Sequence, residues 1–93
     1  MKKIDFTKLN VETQIDFFEE MNIAKELGNV LHANTSDLGM DELARAIYRS
    51  DTEVEMDDAL YSEMMDILKS VGLSIAYLTA IKNAVSDKIK DEK

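Results

Sequence analysis

In the first part of the chain, apolar residues alternate with polar ones. Ile4 and Phe6 each lie between polar neighbours, and the same spacing of two continues from residue 9 to residue 17. Alternation predicts a strand, because side chains two residues apart share one face of a strand. We therefore predict strand structure before Phe18, which would suit one arm of a hairpin. The alternating positions are Leu9, Val11, Thr13, Ile15 and Phe17.

A helix that begins near Thr13 is the alternative for the same stretch. Such a helix would place apolar or small residues along one face, since residues three and four apart share a helix face. Both periods fit residues 9–21, so the choice between strand and helix stays open there. The stripe would consist of Phe17, Met21, Ala24, Gly28 and Leu31.

Four later segments have apolar residues at helical spacing. Suitable N-caps for three of them are Asn22, Asp57 and Ser74. Gly72 is expected to end or kink the third helix before the fourth begins. We predict that these last two helices form an antiparallel hairpin at the apolar centre of the fold. The predicted bounds are about Ile23–Ala33, Met40 or Asp41 to Ser50–Asp51, Asp57–Ser70 and Leu73–Lys90.

A second alternating stretch lies between the middle helices. Val54 and Met56 would share one face, with Glu53 and Glu55 on the other. This pattern predicts a short edge strand that pairs with the N-terminal strand, since charges suit an exposed edge. The expected fold is a mainly α domain with minor β structure and about four helices. It would span residues 1–93 as one unit, with residues 1–3 and 90–93 frayed.

Composition narrows the possible chemistry. Among 93 residues, 45% are hydrophobic, which allows only a small core. The absence of cysteine excludes disulfides and thiolate zinc sites, and the single histidine, His32, cannot form a multi-histidine metal site. No nucleophile arrangement or phosphate-cradling motif is visible. We expect no enzyme activity, cofactor or metal, and a structural role for His32 at a helix C-terminus.

Charge is concentrated in the middle of the chain. The protein has 11 basic and 19 acidic residues, a net charge of −8, and residues 51–66 contain seven acids and no base. A negative protein repels the phosphate backbone, so direct nucleic-acid binding is not expected. A calcium loop in this stretch would need glycine and glutamate where Met56 and Ser62 stand. The candidate acidic partner surface consists of Asp51, Glu53, Glu55, Asp57 and Asp58.

The stretch from Met40 to Asp58 also has features of a helix-turn-helix. Glu42-Leu43-Ala44 is similar to the start of its first helix. However, Tyr48 or Arg49 stands where the turn needs glycine-like freedom, and the second helix would present carboxylates to DNA. A helix-turn-helix regulator is therefore the weakest functional hypothesis.

The block KELGNVLHANTSDLGMDELARAIYRS, residues 25–50, is similar to small uncharacterised proteins encoded in prophages and other mobile elements of gut bacteria. The similarity rests on residues 26–29, His32 and the segment from Asp41 to Tyr48. It implies a phage or mobile-element context and transfers no functional residue.

The expected location is the cytoplasm. No apolar segment of a secretory signal follows the first lysines, and the longest apolar-rich run, residues 71–81, is too short to span a bilayer. The leading functional hypothesis is a phage or mobile-element accessory or assembly protein that binds a protein partner or itself. An acidic nucleic-acid mimic that inhibits a basic host protein is the alternative. The candidate apolar interface consists of Tyr61, Met64, Met65, Leu68 and Tyr77.

Overall fold

A computed structural model describes residues 2–87. Within these residues, four helices dominate and two small antiparallel sheets complete a mixed α+β fold, so the predicted predominance of helices and the presence of minor β structure are both found. None of the helices in this range is long and apolar enough to cross a membrane. The elements are β1 (Lys2–Ile4), β2 (Leu9–Gln14), β3 (Phe17–Met21), α1 (Ala24–Ala33), α2 (Leu38–Tyr48), β4 (Val54–Met56), α3 (Asp58–Ser70), α4 (Ile75–Ala84) and β5 (Ser86–Asp87).

The first sheet has β1 in its centre. Strand β1 pairs with β4 on one side and with β5 on the other, both antiparallel, and Ile4 lies opposite Val54. The edge strand at Val54–Met56 is therefore confirmed, including its partner. Val54 and Met56 are buried while Glu55 is exposed, because alternate side chains of a strand point to opposite faces.

The second sheet is the hairpin of β2 and β3, which resolves residues 9–21 as strand and not helix. Leu9 and Val11 are buried, as their period of two predicts. The chain reverses at Asp16, whose φ of 64° is left-handed, and the Asp16 N–H donates to the Glu12 carboxylate at 2.7 Å. Phe17 therefore begins the second strand, where a single strand up to Phe17 was predicted.

Side-chain caps explain where α2 and α3 begin. Asp37 accepts a hydrogen bond from the Met40 N–H at 3.1 Å, so α2 begins at Leu38, earlier than predicted. Asp57 accepts from the Leu60 N–H at 2.8 Å, as its predicted capping role requires. After α3, Gly72 has a φ of +85°, a conformation that glycine adopts without strain, and this ends the helix as predicted.

The predicted end of the last helix at Lys90 is wrong. Helix α4 ends at Ala84, because Val85 is extended and Ser86–Asp87 pairs with β1 as a third strand. The fraying predicted at the N-terminus is also wrong for Lys2 and Lys3, which lie in the centre of that sheet. Residues 88–93, including the fraying predicted for 90–93, and Met1 lie outside the described range.

The predicted apolar centre, a hairpin of the last two helices, is also corrected. Helices α3 and α4 have few mutual contacts, whereas α1 and α2 pack together most extensively and α4 packs mainly on β2. Strand β2 turns Leu9 and Val11 toward the core, and α4 covers this face with Leu78 and Ile81 buried. Tertiary burial therefore directs α4 toward the hairpin instead of toward α3.

The packing of α1 on α2 depends on Gly28. A Cβ atom at this position would lie 2.7 Å from the Ala44 carbonyl oxygen and 2.8 Å from Tyr48 Cβ. Backbone atoms cannot yield as a flexible side chain can, so any larger residue must push the two helices apart. The mid-helix glycine costs about 1 kcal/mol against alanine, and the close approach offsets this cost.

Replacing Gly28 should therefore destabilise the protein although alanine is the better helix former. We expect Gly28→Ala to lower the free energy of unfolding by up to ~2 kcal/mol, the overpacking cost less the propensity gain. Gly39→Ala is the matched control, because its Cβ would meet only the Asp37 Oδ2 at 3.4 Å. Urea denaturation of both variants measures the difference. Equal stability of the two variants would contradict the close approach.

Candidate functional site

The clearest exposed apolar surface is the end of the β2–β3 hairpin. Ile15 is 90% exposed, Phe17 is 56% exposed and Phe18 is 52% exposed. We call these three residues the hairpin tip. Residues at such turns are usually Gly, Asn, Asp, Ser or Pro, so three large apolar side chains here are unusual. Several large apolar side chains exposed at one end of an element indicate a candidate protein contact site.

The local geometry explains why the hairpin tip stays exposed. Successive side chains of a strand point to opposite faces, so Phe17 and Phe18 cannot both turn toward the core. Strand β3 has exposed side chains from Phe17 to Glu20, and only Met21 at its end is half-buried. The hairpin therefore presents apolar side chains on both of its faces at the tip.

The charges around the hairpin tip are all negative. Residues 9–24 contain four acids and no base, which gives the segment a formal charge of −4. Carboxylates on an edge strand disfavour pairing with another copy of the same edge. The hairpin thus combines an apolar tip with an acidic surround. The four acids are Glu12, Asp16, Glu19 and Glu20.

Sequence reasoning missed the hairpin tip. The strand prediction ended at Phe17, so the adjacent pair Phe17-Phe18 was not considered as a surface. The available signal was this pair itself: in a hairpin flanked by acids, at least one of two neighbouring phenylalanines must point away from the buried face.

The predicted apolar interface on the third helix is not an exposed surface. Met64, Met65 and Leu68 are buried, while Tyr61 and Tyr77 are half-buried. Both methionines fit inside because α3 contacts α1 as well as α4, so its buried face is wide. These three core residues lack the exposure that the interface prediction requires. A partner could reach them only if the core opened.

The predicted acidic surface is exposed, but three of its five members already have local roles. Lys3 Nζ lies 3.5 Å from Glu55 Oε2, and Lys2 Nζ lies 3.6 Å from Asp58 Oδ1. Asp57 caps α3. Among residues 2–87, only Asp51 and Glu53 of this set have no hydrogen-bond or ion-pair partner. The predicted residues are Asp51, Glu53, Glu55, Asp57 and Asp58, all exposed.

Lys2 also lies over the aromatic ring of Tyr61, with Nζ 5.4 Å from the ring centroid. Burial raises the pKa of the Tyr61 hydroxyl, and the positive charge of Lys2 acts in the opposite direction. This contact joins β1 to α3 beside the Lys2–Asp58 ion pair, so the basic N-terminal strand holds the acidic start of α3 in place.

His32 links the two closely packed helices. Its Nδ1 lies 2.5 Å from Asp41 Oδ1, and Arg45 Nε donates to Asp41 Oδ2 at 2.9 Å. These two hydrogen bonds hold the pKa of Asp41 below its ordinary value of 3.8, and the bond with His32 has the larger effect. His32 lies in the last turn of α1, as predicted, and its contact is with a side chain of α2.

The helix-turn-helix pattern is not formed. Helices α2 and α3 are separated by residues 49–57, which contain strand β4 instead of a short turn. Val54 and Met56 of this connection are buried and lie in a strand that pairs with β1, so the acidic helix that follows cannot be placed as a recognition helix beside α2.

The Asp41 cluster should make stability depend on pH in the acid range. Its folded pKa is lowered, so its contribution is fully present above the unfolded pKa and is lost as pH falls through the folded value. Asp41→Asn should lower the urea midpoint at about pH 7, and the gap to the parent protein should be narrower at about pH 3, which is below the unfolded pKa of about 3.9. Asp51→Asn is the control, for which we expect no gap at either pH. A gap for Asp41→Asn that does not narrow in acid would contradict an ionised cluster.

Comparisons with known proteins identify no relative of this chain. No family model matches it, and neither a curated protein nor a solved structure matches it. Its function must therefore be inferred from its own side chains.

Proposed function

We propose that this protein is a non-enzymatic protein-interaction module that contacts its partner through the hairpin tip. The observation that carries the proposal is the exposure of Ile15, Phe17 and Phe18 at the end of a hairpin. The charged side chains of this hairpin are all carboxylates. The partner would offer an apolar groove that receives the aromatic rings, with lysine or arginine side chains on its rim. Aromatic anchors surrounded by polar residues are typical of the residues that dominate binding energy.

Charge argues for a different protein as the partner and against a second copy. Two hairpin tips in contact would bring eight carboxylates together, and like charges across an interface are unfavourable. A basic rim would instead attract the acidic surround and speed association. The partner is thus defined by complementarity: apolar in the centre and positive at the edge.

The biological setting that we propose is a phage or other mobile element, with the protein acting in the cytoplasm as an accessory or assembly factor. This setting is the one that the sequence resemblance of residues 25–50 to small prophage proteins implies. The structural features above are compatible with a binding module, because they provide a buried core and an exposed apolar hairpin tip.

Removing the aromatic rings of the hairpin tip should weaken partner binding without unfolding the protein. We expect Phe17→Thr with Phe18→Thr to weaken binding of a purified partner by at least ~10-fold, as loss of hot-spot residues does. Threonine keeps strand propensity, so the free energy of unfolding should change little. The partner can be found by a photo-crosslinking residue at position 17 and then measured by calorimetry.

The matched control replaces other exposed apolar residues. Leu38 is 80% exposed and Ile75 is 75% exposed, each at the start of a helix far along the chain from the hairpin. Leu38→Ser with Ile75→Ser removes a comparable apolar area and should leave affinity unchanged. Equal loss of binding in both double variants, or in neither, would refute the hairpin tip as the contact.

A second candidate function is mimicry of nucleic acid by the acidic surface at residues 51–58. The specific observation in its favour is that Asp51 and Glu53 are exposed and have no cation partner within residues 2–87. Lysines 2 and 3 partly neutralise Asp58 and Glu55, which weakens the resemblance to a phosphate strand. The hairpin tip is therefore the better supported contact.

Charge reversal separates the two candidates. Asp51→Lys with Glu53→Lys should change the free energy of unfolding by no more than about 0.5 kcal/mol, because neither side chain is paired. If the acidic surface is the contact, binding should be lost, and binding of the parent protein should weaken steeply between about 0.1 M and about 0.5 M salt. If the hairpin tip is the contact, this double variant should bind as the parent does. Titration of the purified partner at both salt concentrations measures the outcome.

A further inference from the structure

Both arginines of the chain lie in one cleft between α1 and α2. The cleft encloses about 240 Å³ and is separate from the hairpin tip. Two helix faces meet there, and Gly28 lies at their point of closest approach. Helix α1 contributes Gly28, Asn29 and His32, while α2 with its C-cap contributes Arg45, Tyr48 and Arg49.

The two arginines are one helical turn apart, so their like charges repel. Arg45 is partly balanced, because its Nε donates to Asp41 at 2.9 Å. Arg49 is exposed and makes no side-chain hydrogen bond or ion pair with any residue from 2 to 87. A protein with a net charge of −8 thus keeps two cations side by side, one of them without a carboxylate.

A third cation lies against the ring of Tyr48, which lines the cleft. Lys25 Nζ lies 4.4 Å from the centroid of the Tyr48 ring, a distance at which the cation and the ring attract each other. The C-terminal end of α2 favours cations and accounts in part for Arg45 and Arg49. It does not account for Lys25, which lies in the first turn of α1, where the helix dipole disfavours a positive charge.

We propose that this cleft binds the phosphate group of a small phosphomonoester. Arg45 and Arg49 line the cleft, Lys25 lies against its Tyr48 wall, and Asp41 is paired with Arg45, so these four side chains together carry a charge of +2. A phosphate monoester carries about −1.5 to −2 at neutral pH, which this charge matches, whereas a carboxylate would neutralise only half of it. Arginine guanidinium groups suit phosphate oxygens because they donate two parallel hydrogen bonds.

The neighbouring contacts prepare the cleft for such a ligand. Asp41 binds Arg45 through Nε, which fixes the side chain and leaves its Nη groups for the ligand. The same carboxylate holds His32 at Nδ1, across the cleft. The volume is smaller than that of most drug-sized pockets, so the phosphate and one adjoining ring would fill it. The Tyr48 ring offers an apolar surface for that ring.

Titration of the full chain with phenyl phosphate tests the proposal by amide NMR. We expect saturable shifts at residues 28–32 and 44–49. Arg49→Gln should weaken this binding by at least ~10-fold, because it removes a charged hydrogen bond to the phosphate. Lys69→Gln is the matched control: it removes one exposed cation from the last turn of α3, and the affinity should stay the same.

Three results would overturn the proposal. One is the absence of saturable shifts in these segments with phenyl phosphate. Another is an equal loss of affinity in Arg49→Gln and Lys69→Gln, which would indicate attraction by overall charge alone. The last is equal affinity for benzoate, which would refute selection of phosphate. The variant Phe17→Thr with Phe18→Thr should bind phenyl phosphate normally, so this site and the hairpin tip can fail independently.

Discussion

The contact between the α1 backbone at Gly28 and the α2 backbone at Ala44 and Tyr48 is the constraint on which much of the structure depends. A helix interior disfavours glycine, yet no side chain fits between these two helices. The close approach brings side chains one turn before and one turn after Gly28 into reach of α2. Lys25 contacts the Tyr48 ring and His32 contacts Asp41, so the small residue at position 28 allows both of these contacts between the two helices.

The other elements pack around this helix pair, and each covers a different part of the core. Helix α3 fills the core with Met64, Met65 and Leu68, and α4 covers the buried face of β2. The three-stranded sheet joins the two ends of the described chain through β1. Because these faces are already used for the core, the hairpin tip is left as the projecting apolar element, and this is why we assign partner binding to it.

Positive and negative side chains are distributed unevenly over the fold. The lysines of β1 balance the acidic residues of β4 and α3, while the hairpin carries carboxylates alone. The seam between α1 and α2 is the opposite case, with cations in excess inside an acidic protein. A strongly negative chain can therefore hold an anion site, because a local cluster of charges at short range outweighs distant charges that salt screens.

Features that depend on neighbouring residues could be predicted from the amino-acid sequence. Alternation identified β2 and the edge strand at Val54–Met56, and Asp57 and Gly72 marked the start and the end of a helix through local hydrogen bonds and backbone conformation. Only the tertiary structure decided what depends on distant contacts. It ended α4 at Ala84 because β1 pairs with Ser86–Asp87, and it buried both Met64 and Met65 because α3 has two neighbours. It also brought Arg45, Arg49 and Lys25 together, since periodicity places residues on a helix face but does not say which face it meets.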